Sequence, residues 1–151
     1  MNNNLDIDEI TGRIVDAAVK LHTGLGPGLL ESVYEVVLAR ELERRGLRVE
    51  KQKPVSFEFD GLSFDDAFRV DLLVEGCVVV ELKSVETLAP VHSKQVLTYL
   101  RLLDLPVGLL IDFGAATMKE GLKRVVNNYQ PPPSALLHVL TMSGLRVNKG
   151  G

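Results

Sequence analysis

The chain has 151 residues, 46% hydrophobic and 25% charged, with 17 Lys plus Arg against 20 Asp plus Glu. Such a composition fits one folded domain and excludes a disordered chain; no apolar run approaches the ~20 residues of a membrane helix, and the single Cys77 excludes an internal disulfide or a multi-cysteine zinc site. A net charge of −3 offers no overall pull on a polyanion, and with no signal-like N-terminal segment the expected compartment is the cytoplasm.

Ile10, Ile14, Ala17, Ala18 and Leu21 recur at helical spacing and predict a first helix from Asp8 to Leu21, capped by Asp6 or Asp8. The glycines of Thr23-Gly24-Leu25-Gly26-Pro27-Gly28 should end it. They lack the preceding strand of a dinucleotide fingerprint and the Lys-Ser/Thr of a P-loop, so they read as a helix break. A second helix is expected from about Leu29 to Arg45, with Leu30, Val33, Tyr34, Val37, Leu38 and Leu42 inward and Gly46 past its end.

Short alternating strands follow between Leu47 and the Asp60-Gly61 turn, then strands Ala67–Val74 and Cys77–Lys83 separated by Glu75-Gly76. The run Cys77-Val78-Val79-Val80 marks a strand covered on both faces. Val91–Leu103 reads as a third helix with Val96, Leu97, Leu100 and Leu103 inward, Pro106–Phe113 as a further strand, and Gly121–Asn127 as a short strand or turn. The order predicts an α/β domain over 1–130 with a mixed sheet flanked by helices. A proline-initiated tail over 131–151 is left unassigned, although its apolar residues make it a candidate subunit contact.

The chemistry gathers on two adjacent strands. Glu81 and Lys83 share a strand face, because side chains alternate. Whether Asp71 joins them depends on the turn. A two-residue loop pairs Val74 with Cys77 and puts Asp71 opposite Val80, on the wrong face. A type I turn with Gly76 left-handed as a bulge shifts the pairing by one and brings Asp71 to Glu81. Two carboxylates there supply the hard oxygens that Mg²⁺ or Mn²⁺ prefers, and a nearby lysine can orient water or stabilise developing phosphoryl charge. The plainer alternative is a strand-edge ion pair between Glu81 and Lys83.

Glu31 lies at the start of the second helix, in Gly28-Leu29-Leu30-Glu31-Ser32-Val33-Tyr34, where the dipole favours a carboxylate. Gln95 and Tyr99 fall at i and i+4 on one face of the third helix. His92 lies three residues before Gln95, within reach of the site or a phosphate. Arg69 is read as sharing a face with Asp71, placed to pair with a site carboxylate or position substrate. Arg40, Arg44, Arg45, Arg48, Lys51 and Lys53 form a basic stretch able to track a phosphate backbone.

The ordered set, with Phe68-Arg69-Val70-Asp71-Leu72-Leu73-Val74, Glu81-Leu82-Lys83-Ser84 and Gln95-Val96-Leu97-Thr98-Tyr99-Leu100, resembles the GxxExxY family of the PD-(D/E)XK nuclease superfamily. The Gln-x-x-x-Tyr helix is similar to the RecB-like branch. The resemblance runs from about Ile10 to about Asn128 and implies a restriction-endonuclease-like core. It implies Asp71, Glu81 and Glu31 as metal ligands, Lys83 as the catalytic lysine, and Gln95 and Tyr99 as positioning residues. The implied activity is Mg²⁺- or Mn²⁺-dependent hydrolysis of nucleic acid, DNA foremost, by activated water. The alternative is a catalytically silent binding or partner-interaction module. A homodimer is compatible with either.

Overall fold

Asp6 starts the first helix: its carboxylate accepts the Glu9 N–H at 2.8 Å, and α1 runs Ile7–Leu25 in the computed structural model, which describes residues 5–130. The proline-initiated tail over 131–151, and with it the proposed subunit contact, lies outside the described residues. The helix absorbs Gly24 and stops only at Gly26, whose φ of 74° closes the reversal. The second helix, α2, is Glu31–Arg44, and it buries Tyr34, Leu38, Ala39 and Leu42. Leu30 and Val33, expected inward, are exposed. Tyr34 sets that rotation. Its hydroxyl donates to the Gly26 carbonyl at 2.6 Å and accepts the Leu29 N–H at 3.2 Å, while its ring stacks on Phe113 with centroids 4.4 Å apart.

The alternating pieces after Gly46 form one long hairpin, β1 (Val49–Phe59) and β2 (Leu62–Val74), around Asp60-Gly61. The strand β3 (Val78–Lys83) follows, then α3 (Pro90–Leu103), β4 (Val107–Asp112), the short α4 (Met118–Gly121) and β5 (Leu122–Val126). The strands form one sheet in the order β1-β2-β3-β4-β5. Among the described residues only β3 and β4 pair in parallel, joined by α3 as a parallel connection requires, so the sheet is mixed.

Helices cover both faces, as the apolar runs of β3 and β4 demand. On one side α1 and α2 pack on Leu72, Val74, Val78, Val80, Leu82, Leu109 and Ile111. On the other, Val96 and Leu100 of α3 pack on Val70, Leu73, Val79 and Leu110. No helix among the described residues is long and apolar enough to cross a membrane.

The turn that decides the site adopts the shifted register. Val74 pairs with Val78 and Leu72 with Val80, which sets Asp71 against Glu81. Its conformation differs from the expected one: Glu75 and Gly76 are both left-handed, at φ 52° and 66°, and Cys77 is the added residue. Glu75 is held in that strained state by Arg48 at the foot of β1. Its N–H donates to the Arg48 carbonyl at 2.9 Å, and its carboxylate accepts the Arg48 N–H at 2.8 Å.

Candidate active site

Beyond Leu72 the β2–β3 ladder stops, and two carboxylates continue it. The Asp71 N–H donates to Glu81 Oε1 at 3.0 Å, and the Leu82 N–H donates to Asp71 Oδ2 at 2.9 Å. Each acid thus closes a backbone bond that the parting strands leave open. Glu81 is only 5% exposed. Burial foremost, and then the negative charge of Asp71, push its carboxyl up to about 8, and Lys83 offsets part of this. The two carboxyl groups are close enough to share a hydrogen bond, which also favours the protonated form.

Tyr99 of α3 belongs to the same neighbourhood. Burial, followed by the charges of Glu81 and Asp71, raises its phenol above the ordinary range. Its ring stacks on Phe68 of β2 with centroids 4.1 Å apart and planes 8° from parallel. Phe68 is therefore the residue that orients Tyr99. Between Lys83 and the start of α3 lies an open groove of about 540 Å³, lined by Lys83, Val91, His92, Lys94, Gln95 and Thr98. Gln95 and Lys83 thus share a wall. His92 lines it too, but as a helix cap: its Nδ1 accepts the Ala89 N–H at 3.1 Å, so the neutral ring carries its proton on Nε2.

A family model matches residues 8–125, that of the PD-(D/E)XK nuclease superfamily. The chain belongs to this superfamily. Compared with curated proteins and with solved structures, it gave no match. Members of the PD-(D/E)XK superfamily are usually nucleases and generally use divalent metals such as Mg²⁺. The acid pair fits such an ion: two hard oxygen donors crowd together in a poorly solvated place and hold a proton that a divalent cation would replace.

Within this PD-(D/E)XK chain three expected placements differ. Among the described residues, no group of three metal-capable side chains forms. Glu31 makes no hydrogen bond to either acid; it is exposed and lines a second groove with Leu29, Leu30, Ser32 and Ser84. The segment leading into α2 is tied to Ser84, whose hydroxyl donates to the Leu29 carbonyl at 2.6 Å. Arg69 makes no ion pair among the described residues. The cause is a slip in the pleat: Val70 and Leu73 both pack on the α3 side while Leu72 packs on the other, so alternation breaks at Asp71. Half of the basic stretch is spent in ion pairs, Arg45 with Asp16 and Glu41, Arg48 with Glu75, and Lys53 with Glu50, whereas Arg40, Arg44 and Lys51 make none among the described residues.

Two residues that sequence reasoning passed over sit at the break. Gln52 faces Asp71 across the β1–β2 ladder and holds a left-handed φ of 49°. Its amide donates to Asp71 Oδ1 at 3.1 Å and to Glu35 Oε2 at 2.8 Å. Glu35 is thus the α2 acid tied to the pair, one turn beyond Glu31; the i+4 spacing was the available signal. Gln52→Gly is expected to keep or raise the melting temperature, because glycine relieves a backbone strain of about 1 kcal/mol. The same variant should bind Mn²⁺ roughly tenfold more weakly by calorimetry, having lost the group that orients Asp71.

Behind Lys83, Asp112 ties two strand ends together. Its Oδ1 accepts the Val85 and Gly114 N–H groups, each at 2.9 Å, and the Lys83 carbonyl accepts the Phe113 N–H at 2.9 Å. The fit leaves no room for a side chain at Gly114, where a Cβ would overlap the Val85 backbone. Asp112→Ala strands two part-buried donors and should cost about 2–4 kcal/mol in a denaturant titration. Asp112→Asn keeps the acceptor oxygen and should cost about 1 kcal/mol or less.

Proposed function

We propose that this chain is a divalent-metal-dependent nuclease of the GxxExxY type, related to the RecB-like branch, that hydrolyses phosphodiester bonds in DNA. The observation that carries the reading is the meeting of the Asp71 and Glu81 carboxyls where β2 and β3 part, with Lys83 two residues on at the mouth of a cationic groove. Asp71 and Glu81 would hold Mg²⁺ or Mn²⁺, which supplies charge neutralisation and a more acidic water when bound.

The chain's own groups then act around the scissile phosphate. Lys83 Nζ donates to a phosphoryl oxygen and stabilises the charge that develops there. Gln95 and Lys94 line the groove that receives the flanking phosphate, beside the N-terminal end of α3, whose dipole favours an anion. Tyr99, fixed by Phe68, closes the apolar wall behind the acids and limits water to the groove side. Glu35, through Gln52, keeps Asp71 turned toward Glu81. The test is an assay of purified protein with Mn²⁺ on single-stranded and double-stranded DNA and RNA. Cleavage that is abolished by EDTA supports the reading, and intact substrates in every case contradict it.

A second reading, a binding module without turnover, draws on the failure of Glu31 to join Asp71 and Glu81 in a group of three ligands. It is distinguished by oligonucleotide binding without cleavage under the same conditions. A cytoplasmic site of action belongs to either reading.

A further inference from the structure

The β1–β2 hairpin outruns the sheet. Past the Val55–Phe68 pair, residues 56–66 project as an arm that is almost wholly exposed. Cross-strand pairing of Phe57 with Phe64 and of Phe59 with Leu62 places four apolar side chains on one face of the arm. Phe57 and Phe64 stack at 5.1 Å, while Phe59 and Leu62 at the tip are 71% and 61% exposed. A monomer rarely leaves such a face open without a partner for it.

Aromatic side chains in a row suit stacked bases, but the charge on the arm forbids that use. Glu58, Asp60, Asp65 and Asp66 lie on it, and no Lys or Arg occurs between Lys53 and Arg69. A phosphate backbone would be repelled where a single-strand groove must attract it. The surface that fits is apolar and edged with positive charge.

The chain presents such a surface on the outer side of α2. Leu30 (73% exposed), Val33 and Val36 form a stripe that continues at helical spacing into Arg40 and Arg44. Both arginines are exposed and make no ion pair among the described residues, unlike their neighbours Arg45 and Arg48. Glu43 sits on the flank of this stripe rather than along it. None of the described residues covers the arm or the stripe, so each is open to a second copy.

We propose that the protein forms a two-fold dimer in which the arm of each copy lies along the α2 stripe of the other. Phe59 and Leu62 meet Leu30, Val33 and Val36, and the long side chains of Arg40 and Arg44 reach around the edges of the arm toward its acids. Two reciprocal contacts of this kind close on themselves, which limits assembly to a pair. The proposal does not depend on the nuclease reading.

Sedimentation of the full chain over a range of concentrations tests it. The wild type is expected to be a dimer. Arg40→Glu with Arg44→Glu, and separately Asp65→Lys with Asp66→Lys, should each weaken association at least tenfold with an unchanged melting temperature. An equimolar mixture of the two variants should dimerise again, because both contacts then join opposite charges. A monomeric wild type overturns the proposal, as does a dimer indifferent to both reversals. Loss of oligonucleotide binding in a Phe59→Ser variant that dimerises as the wild type does would instead make the arm a nucleic-acid surface, and that also overturns it.

Discussion

Lys83→Ala is expected to slow phosphodiester hydrolysis by about 10²–10³-fold, the usual effect of removing one donor aimed at developing charge. The lysine ends β3 and makes no ion pair among the described residues, so its loss leaves no buried charge stranded. The fold should therefore persist, with a melting temperature close to that of the wild type. Lys83→Arg keeps the charge but not the reach or shape of the ammonium, and should recover only part of the rate. Binding of substrate should change much less than turnover, because the group acts on charge that appears in the transition state. A Lys83→Ala variant as fast as the wild type would remove Lys83 from the mechanism.

The stability of the protein should depend on pH through Glu81. Its carboxyl is raised from 4.5 to about 8 by burial and by Asp71, so the folded state keeps a proton that the unfolded state releases. The folded form then binds more protons across that interval, and stability falls as pH rises. The contribution is fully present below about 4.5 and is lost as pH passes about 8, with a magnitude on the order of 5 kcal/mol. Glu81→Gln should flatten this dependence, since the amide has no proton to lose. Divalent cation should restore stability at pH 8 and have little effect at pH 5, where protons compete for the same oxygens. Melting curves across that range, with and without Mn²⁺, provide the check.

The sequence made the centre of the site legible because strand alternation is a strict rule. Glu81 and Lys83 had to share a face, and Gly76 permitted the one-residue shift that brings Asp71 to them. Gln95 and Tyr99 followed from helical spacing in the same way. The rest depended on departures from those rules. The pleat slips at Val70–Asp71, which takes Arg69 away from the acids and leaves Gln52 left-handed opposite them. Glu31 looked like the α2 acid, yet the rotation set by Tyr34 joins Glu35 to Asp71 instead. The basic run from Arg40 to Lys53 could not show its remote partners, since Asp16 comes from α1 and Glu75 from the turn after β2. The strand Leu62–Asp66 escaped notice because an arm with no core beneath it has no burial pattern to read.

The carboxylate pair is the claim on which the functional reading turns, and calorimetric titration of Mn²⁺ at pH 8 tests it without reference to any substrate. The wild type should bind with a defined stoichiometry, and Asp71→Asn and Glu81→Gln should each remove that site while remaining folded. A wild type that takes up no Mn²⁺, or variants that bind it as the wild type does, would contradict a metal centre at Asp71 and Glu81.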